Sequence, residues 1–185
     1  MRLALDEKVS ALERALTRAG IEHAFGGAIA LAYYATPRGT QGIAIHLLLP
    51  ASAFDRVLTA LVPLGVDAPT PGQRQALERD EQVRLTWDGT PLDLFFAYAA
   101  LHEACSERRR HVPFADRQIA ILSAEDLAIF KVLFSREKDW RDLAELLFAQ
   151  GERFDHTYAK GWLAAVLEDG DERLDRFAGL LGKVE

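Results

Sequence analysis

Three charged residues in the last third of the chain are the first candidates for chemistry. Lys131 is the only charged residue in the apolar run from 127 to 134, and a helix that is apolar all round is usually buried. Its ammonium group therefore either reaches outward to solvent or points into a polar cavity, where it would suit a triphosphate. Asp139 and Asp142 stand three residues apart. They are candidates for a site, although acidic residues at the start of a helix also complement the helix dipole.

A second group of candidates lies nearer the N terminus. Gly26 and Gly27 follow a short predicted strand and precede a predicted helix, an arrangement that lets a phosphate approach the backbone closely. A tight turn that needs a positive φ is the plainer explanation of the pair. Asp93 lies in a predicted strand between large apolar residues, where a buried carboxylate requires a partner.

Hydrophobic spacing, caps and turn signals predict the elements that position these residues. Helices are predicted over residues 4–19, 28–35, 51–64, 99–110, 137–149, 155–168 and 171–181, strands over 21–25, 42–47, 83–87 and 92–97 and within 111–122, and a loop over 66–73. Asp88-Gly89 indicates a hairpin turn, and Ser123 with Asp126 forms a helix-capping signature before the apolar run. The pattern predicts an α+β (mixed α/β) core over 1–122 and a helical part over 123–185, packed together as one structural unit.

The composition is typical of a soluble cytoplasmic protein. Hydrophobic residues make up 49% and charged residues 27%, and charge interrupts every apolar run before membrane-spanning length. Residues 1–20 mix charged with apolar side chains, unlike a signal peptide, and a single cysteine, Cys105, favours the cytosol. A net charge of −6 argues against broad electrostatic capture of nucleic acid, and the five histidines lack the paired spacing of a zinc site.

Several of these features occur in an order that resembles a known family. They are Gly26-Gly27, Arg38-x-Thr40, Asp93 before Phe95-Phe96-Ala97, the run 121–131, and Lys138-Asp139-Trp140 with Asp142. Together, over roughly residues 20–150, they resemble the minimal nucleotidyltransferases of the AbiEii/MenT toxin type. The resemblance implies a DNA polymerase β-like core with a mixed sheet and a helical C-terminal part.

The resemblance also implies an activity, namely transfer of a nucleotide from a nucleoside triphosphate to an acceptor with release of pyrophosphate. The implied acceptor is tRNA or a protein, and a cognate antitoxin is an implied partner. The implied nucleotide-binding residues are Gly26, Gly27, Arg38, Thr40 and Lys131. The implied catalytic residues are Asp93, Lys131, Asp139 and Asp142, with Asp93 also the third acidic ligand of a Mg²⁺ cluster.

The chain departs from this family at its metal ligands. Gly42 and Ala44 stand where the family has two aspartates, and His46 follows on the same predicted face. Magnesium needs hard oxygen ligands, whereas imidazole suits zinc or copper. Loss of metal stabilisation predicts a rate loss of about a thousandfold or more.

Three interpretations remain open for this departure. The chain is a decayed pseudoenzyme that keeps a nucleotide- or partner-binding role, a deliberately inactivated variant, or an active enzyme that uses other carboxylates. We favour loss of metal-dependent transfer, because two aspartates replaced by two different residues indicate drift.

Overall fold

The computed structural model describes residues 3–97 and 100–183, which form six β-strands and nine α-helices. The strands are β1 (His23–Phe25), β2 (Ile43–Leu47), β3 (Gln82–Trp87), β4 (Thr90–Phe96), β5 (Arg110–Phe114) and β6 (Arg117–Ile121). The helices are α1 (Leu5–Arg18), α2 (Gly27–Leu31), α3 (Phe54–Leu61), α4 (Pro71–Asp80), α5 (Ala100–Arg108), α6 (Ala124–Phe134), α7 (Glu137–Gln150), α8 (His156–Val166) and α9 (Glu172–Leu181). Within the described residues, no helix has the length and apolar character needed to cross a membrane.

The chain divides into two compact units. The first comprises residues 1–29 and 39–121, and the second comprises 30–38 and 122–185. All six described strands belong to the first unit, and α6 to α9 belong to the second. The segment 30–38 is therefore part of the helical unit, although it lies far from the other helical residues in sequence.

The first unit is built on a mixed six-stranded sheet in the order β3-β4-β2-β1-β6-β5. Strand β2 pairs with β4 in parallel and with β1 antiparallel, and β1 pairs with β6 in parallel. The antiparallel hairpins β3–β4 and β5–β6 form the two edges of the sheet. Helix α1 packs on α3 and β6 through a stripe that includes the fully buried Leu12 and Leu16. The predicted α+β class, with a mixed sheet, is confirmed.

The second unit consists mainly of four helices around α6. Helices α7, α8 and α9 all contact α6, and α9 also contacts α7 and α8. The Ser123 hydroxyl accepts a hydrogen bond of 3.1 Å from the backbone N–H of Asp126, which confirms the predicted cap. Within this unit, the Tyr34 hydroxyl donates to the carbonyl of Leu122 at 2.8 Å, and the Gln150 amide donates to the carbonyl of Tyr34 at 2.7 Å.

Two sequence-based predictions of secondary structure are wrong in part. The predicted loop over 66–73 runs into α4, because Thr70 and Gln73 form a reciprocal capping box at 2.8 and 3.3 Å and Pro71 occupies the first helical position. The predicted helix over 28–35 ends at Leu31. There the backbone N–H groups of Tyr33 and Tyr34 donate to carbonyl groups three residues earlier in the chain, not four. The chain therefore turns instead of continuing the helix.

Candidate functional site

Three neighbouring strands bring Ala44, Asp93 and Arg84 into one row on one face of the sheet. Ala44 on β2 lies opposite Asp93 on β4, and Arg84 on β3 lies opposite the same Asp93. Directly opposed residues project to the same side of a sheet. Position 44 therefore shares a face with Asp93. Gly42 lies one residue before β2, and a Cβ added to it would lie 3.2 Å from the Pro91 carbonyl oxygen.

Arg84 binds the Asp93 carboxylate at two points. Its Nε donates to Oδ1 at 2.6 Å and its Nη2 donates to Oδ2 at 3.0 Å. The hydrogen bonding to Asp93 raises the pKa of Arg84 above its usual value. The Arg84 side chain is 64% exposed and that of Asp93 is 27% exposed, so the pair lies at the solvent boundary. Sequence reasoning missed Arg84 as the partner of Asp93. Arg84 lies four residues before Asp88 and Asp93 lies four residues after Gly89, so the two residues are equally distant from the turn.

The side chains of this row do not fit a pair of magnesium ions. Gly42 and Ala44 offer no oxygen, and both oxygens of Asp93 already accept hydrogen bonds from Arg84, whereas magnesium is bound through oxygen ligands. His46, farther along β2, stacks on Phe95 with ring centroids 4.9 Å apart. Burial, together with nearby His102, lowers the pKa of His46 to about 3, so its imidazole is neutral at pH 7.

The rest of the described chain offers no alternative metal centre. Across residues 3–97 and 100–183, no three or more His, Cys, Asp or Glu side chains are grouped so that they could hold a metal ion. Cys105 is buried. We therefore derive no chemical step through magnesium for this chain.

The Gly26-Gly27 pair is joined to the same strand. The N–H of Gly26 donates to the carbonyl of Ala44 at 3.0 Å. Gly27 has a φ of +55°, and a Cβ on it would lie 3.2 Å from the Cβ of Ala44. Glycine is therefore favoured at this position both by the backbone conformation and by the close approach of Ala44. The hydroxyl of Thr40 accepts from the N–H of Gly42 at 3.3 Å and donates to its carbonyl at 3.0 Å, ahead of the first residue of β2.

The other predicted residues meet in a buried charge network in the second unit. Lys131 Nζ donates to Asp142 Oδ2 at 2.6 Å and lies 3.9 Å from Asp139 Oδ1. Arg38 donates to both oxygens of Asp142 at 2.6 and 2.7 Å, and Arg136 pairs with Asp139. Lys131 and Asp139 are 3% exposed and Asp142 is 5% exposed. Lys131 therefore points into a polar interior, and the alternative that it reaches solvent is wrong.

Burial and ion pairing shift the pKa values of this network in opposite directions. Burial raises the pKa of Asp142, but hydrogen bonds and positive charge from Arg38 and Lys131 outweigh it and hold that pKa below its usual value. Burial lowers the pKa of Lys131 even though Asp142 and Asp139 favour its charged form. The network combines three cations with two carboxylates, so it carries one net positive charge.

No family model and no curated protein matches the chain, but solved structures resemble it. The antibiotic-resistance factor ANT(2'')-Ia is 14% identical with a TM-score of 0.57, and 96% of this chain and 91% of that chain are covered. An antigenic nucleotidyltransferase-like protein from Paracoccidioides brasiliensis is 13% identical with a TM-score of 0.53, over 97% and 88%. The lincosamide antibiotic adenylyltransferase LnuA, in its lincomycin-bound form, is 14% identical with a TM-score of 0.52, over 79% and 98%. At such identities the likeness is one of fold: this chain has a nucleotidyltransferase fold.

Proposed function

We propose that this chain is a nucleotidyltransferase-fold protein of the AbiEii/MenT toxin type that has lost metal-dependent nucleotidyl transfer. The observation that carries this proposal is the row of Ala44, Asp93 and Arg84, in which the one remaining carboxylate is bound by a guanidinium group. The solved nucleotidyltransferases support the fold. The toxin type rests on the ordered motifs of the sequence.

The charge of Arg84 gives the loss a physical basis. A carboxylate cluster attracts magnesium because several negative charges converge, whereas this row has one negative charge with a positive one beside it. A divalent cation approaching Asp93 would meet the guanidinium group and would have to displace it. The row therefore lacks metal-binding carboxylates and already contains the positive charge of Arg84.

The role that we propose to be retained is binding of a nucleotide or of a partner. A nucleoside triphosphate is the proposed ligand, tRNA or a protein and a cognate antitoxin are the proposed macromolecular partners, and the cytoplasm is the proposed location. Gly26, Gly27, Arg38 and Thr40 remain proposed nucleotide contacts. For Lys131, Asp139 and Asp142 the geometry favours a supporting role, because their charged groups are occupied with one another and with two arginines.

Restoring the missing carboxylates tests the proposal. Magnesium-dependent incorporation of labelled nucleotide into tRNA, total RNA and protein is measured for the natural chain, for Gly42→Asp/Ala44→Asp, and for the same pair with Arg84→Ala. We expect incorporation only from the triple variant, because Arg84 otherwise continues to occupy Asp93. The matched control is Gly42→Asn/Ala44→Asn/Arg84→Ala, which has similar side-chain volumes and no added charge.

One result would overturn this function. If the natural chain incorporates nucleotide in the presence of magnesium, and Asp93→Asn abolishes the incorporation, Asp93 still serves metal chemistry. Circular dichroism of every variant is needed, because a side chain at position 42 must displace the Pro91 carbonyl slightly.

A further inference from the structure

A groove between helices α1 and α3 of the first unit has no role in the proposed function. The two helices pack against each other, and the groove beside them has a volume of about 460 Å³. Its lining comes from residues 15–19 of α1 and from residues 56–64, which comprise most of α3 and the turn after it. We call this feature the α1–α3 groove.

Small and apolar side chains form much of the α1–α3 groove. Ala15 and Ala19 are one turn apart on α1, so they share a face of that helix. Ala60 of α3 and Leu64 also line the groove, and all four residues are partly exposed. Outside the lining, Val62 in the turn after α3 is 51% exposed. Folding therefore leaves apolar surface in contact with water here, and a partner that covers this surface gains free energy from its burial.

The short side chains of the groove favour a helix as the partner. The distance between the axes of two packed helices depends on the side chains at their contact. Alanine at positions 15, 19 and 60 lets another backbone approach α1 and α3 closely. An amphipathic helix that lays its apolar face in a groove is a recurring mode of protein recognition.

Both charged residues of the α1–α3 groove are arginines. Arg56 Nη2 donates to the carbonyls of Ala19 and Gly20 at 2.8 and 3.1 Å, which holds its guanidinium group at the C-terminal end of α1. Arg18 lies in the last turn of the same helix. Within residues 3–97 and 100–183, its side chain forms no hydrogen bond or ion pair. Cations in this position complement the helix dipole, which explains their sign but not the apolar groove beside them.

The groove therefore carries positive charge in an acidic chain. No Asp or Glu is among the described residues that line it, so Arg18 and Arg56 contribute two positive charges where the whole chain has a net charge of −6. Asp55, the neighbour of Arg56 in sequence, pairs with Arg74 at 3.1 Å. A partner with carboxylates beside its apolar face is complementary to this groove in both polarity and charge.

We propose that the α1–α3 groove docks an acidic amphipathic helix of a partner protein. The apolar face of that helix packs on Ala15, Ala19 and Ala60, and a carboxylate beside this face pairs with Arg18. The inference goes beyond the proposed function, because no residue of the groove is a proposed nucleotide contact or belongs to the row of Asp93. It holds whether or not nucleotidyl transfer is lost.

Two labelled peptides of eighteen residues serve as probes. Both are helical with leucine and alanine on one face, and the positions beside that face are glutamate in one peptide and lysine in the other. Fluorescence anisotropy measures their affinity for the natural chain without nucleotide or magnesium. We expect the glutamate peptide to bind at least about fivefold more tightly than the lysine peptide, with a preference that falls as salt is raised.

Three variants locate the binding site. Arg18→Glu should weaken binding of the glutamate peptide by at least about fivefold and remove its advantage over the lysine peptide. Ala60→Gln adds volume without charge and should weaken binding of both peptides. The matched control is Arg14→Glu, one turn earlier on α1, where an exposed arginine outside the lining undergoes the same change of charge. We expect this control to keep the preference for the glutamate peptide, and circular dichroism checks that each variant is folded.

Several results would overturn the inference. They are equal affinity for the two peptides, a dissociation constant of the glutamate peptide above about 1 mM, and equal effects of Arg18→Glu and Arg14→Glu. Binding of dodecanoate in place of the peptide would identify a small apolar anion as the occupant. Self-association of the natural chain in sedimentation, lost in Arg18→Glu, would identify a second copy. Because these measurements contain no nucleotide, failure here is distinct from failure of the proposed function, which is scored by magnesium-dependent incorporation.

Discussion

Arg84 and Asp93 face each other across the β3–β4 hairpin, joined by hydrogen bonds of 2.6 and 3.0 Å. Asp93 also faces Ala44 on the neighbouring parallel strand, so the guanidinium group and Ala44 flank the same carboxylate. The negative charge of Asp93 is therefore balanced by the chain itself. Our proposal that the chain has lost metal affinity rests on this relationship.

Removing the guanidinium group should have little effect on stability. We expect Arg84→Gln to lower the free energy of unfolding by about 1 kcal/mol at most, because the Arg84 side chain is 64% exposed and exposed ion pairs contribute little. Urea denaturation measures the change, with Arg74→Gln, which removes another exposed pair, as control. A loss above about 3 kcal/mol would mean that the pair is primarily structural.

The buried lysine should behave in the opposite way. Lys131→Met removes the ammonium group that lies 2.6 Å from Asp142 and 3.9 Å from Asp139 and leaves both carboxylates buried with less compensation. We expect a loss of about 3 kcal/mol or more in the free energy of unfolding. Lys160→Met is the exposed control, with an expected change within about 0.5 kcal/mol. Equal effects of the two substitutions would contradict a buried charge network around Lys131.

Acid should weaken the same network. Although burial raises the pKa of Asp142, Arg38 and Lys131 hold it below the ordinary value of 3.8 in the folded protein. A carboxyl group of this kind adds stability above its unfolded-state pKa, and that stability is lost as the pH falls through the folded-state pKa. The free energy of unfolding should therefore decline below about pH 4, and less steeply in Asp142→Asn. Urea unfolding across this range measures both slopes, and identical slopes would exclude Asp142 as the cause.

Gly27 should be required by the fold even without a ligand. Gly27→Ala puts a Cβ 3.2 Å from Ala44 at a φ of +55°, a conformation that costs non-glycine residues about 1–2 kcal/mol. Gly72→Ala in α4 is the matched control, because its Cβ meets nothing within 4 Å and alanine favours a helix. We expect a lower melting temperature for the first variant and an equal or higher one for the second. If Gly27→Ala is as stable as the natural chain and only nucleotide binding suffers, the glycine serves a ligand instead.

Much of the fold follows from local signals in the sequence. The Ser123 cap and the Asp88-Gly89 turn were predicted correctly, because each depends on a few adjacent residues. Helix α4 was missed because its sequence is polar and only Leu77 in it is buried. Its signal was the capping box that begins at Thr70, which indicates a helix even without an apolar stripe.

The site was less accessible to sequence reasoning, because it depends on which strands are neighbours. The alternation around Ala44 predicted a shared face, but the pairing of β2 with β4 joins segments more than forty residues apart. The partnership of Arg84 with Asp93 was within reach, since a two-residue turn fixes the hairpin register. The pairing of Arg38 with Asp142 spans 104 residues, and no local pattern predicts it.

The most direct test of the central claim is the effect of magnesium on nucleotide affinity. Each nucleoside triphosphate is titrated into the natural chain by calorimetry, once with magnesium and once with EDTA. Loss of the metal site predicts that the change from EDTA to magnesium alters the dissociation constant by the same factor in the natural chain and in Asp93→Asn. Binding that strengthens with magnesium in the natural chain, and no longer does so in Asp93→Asn, would contradict the claim and show that Asp93 still holds a metal ion.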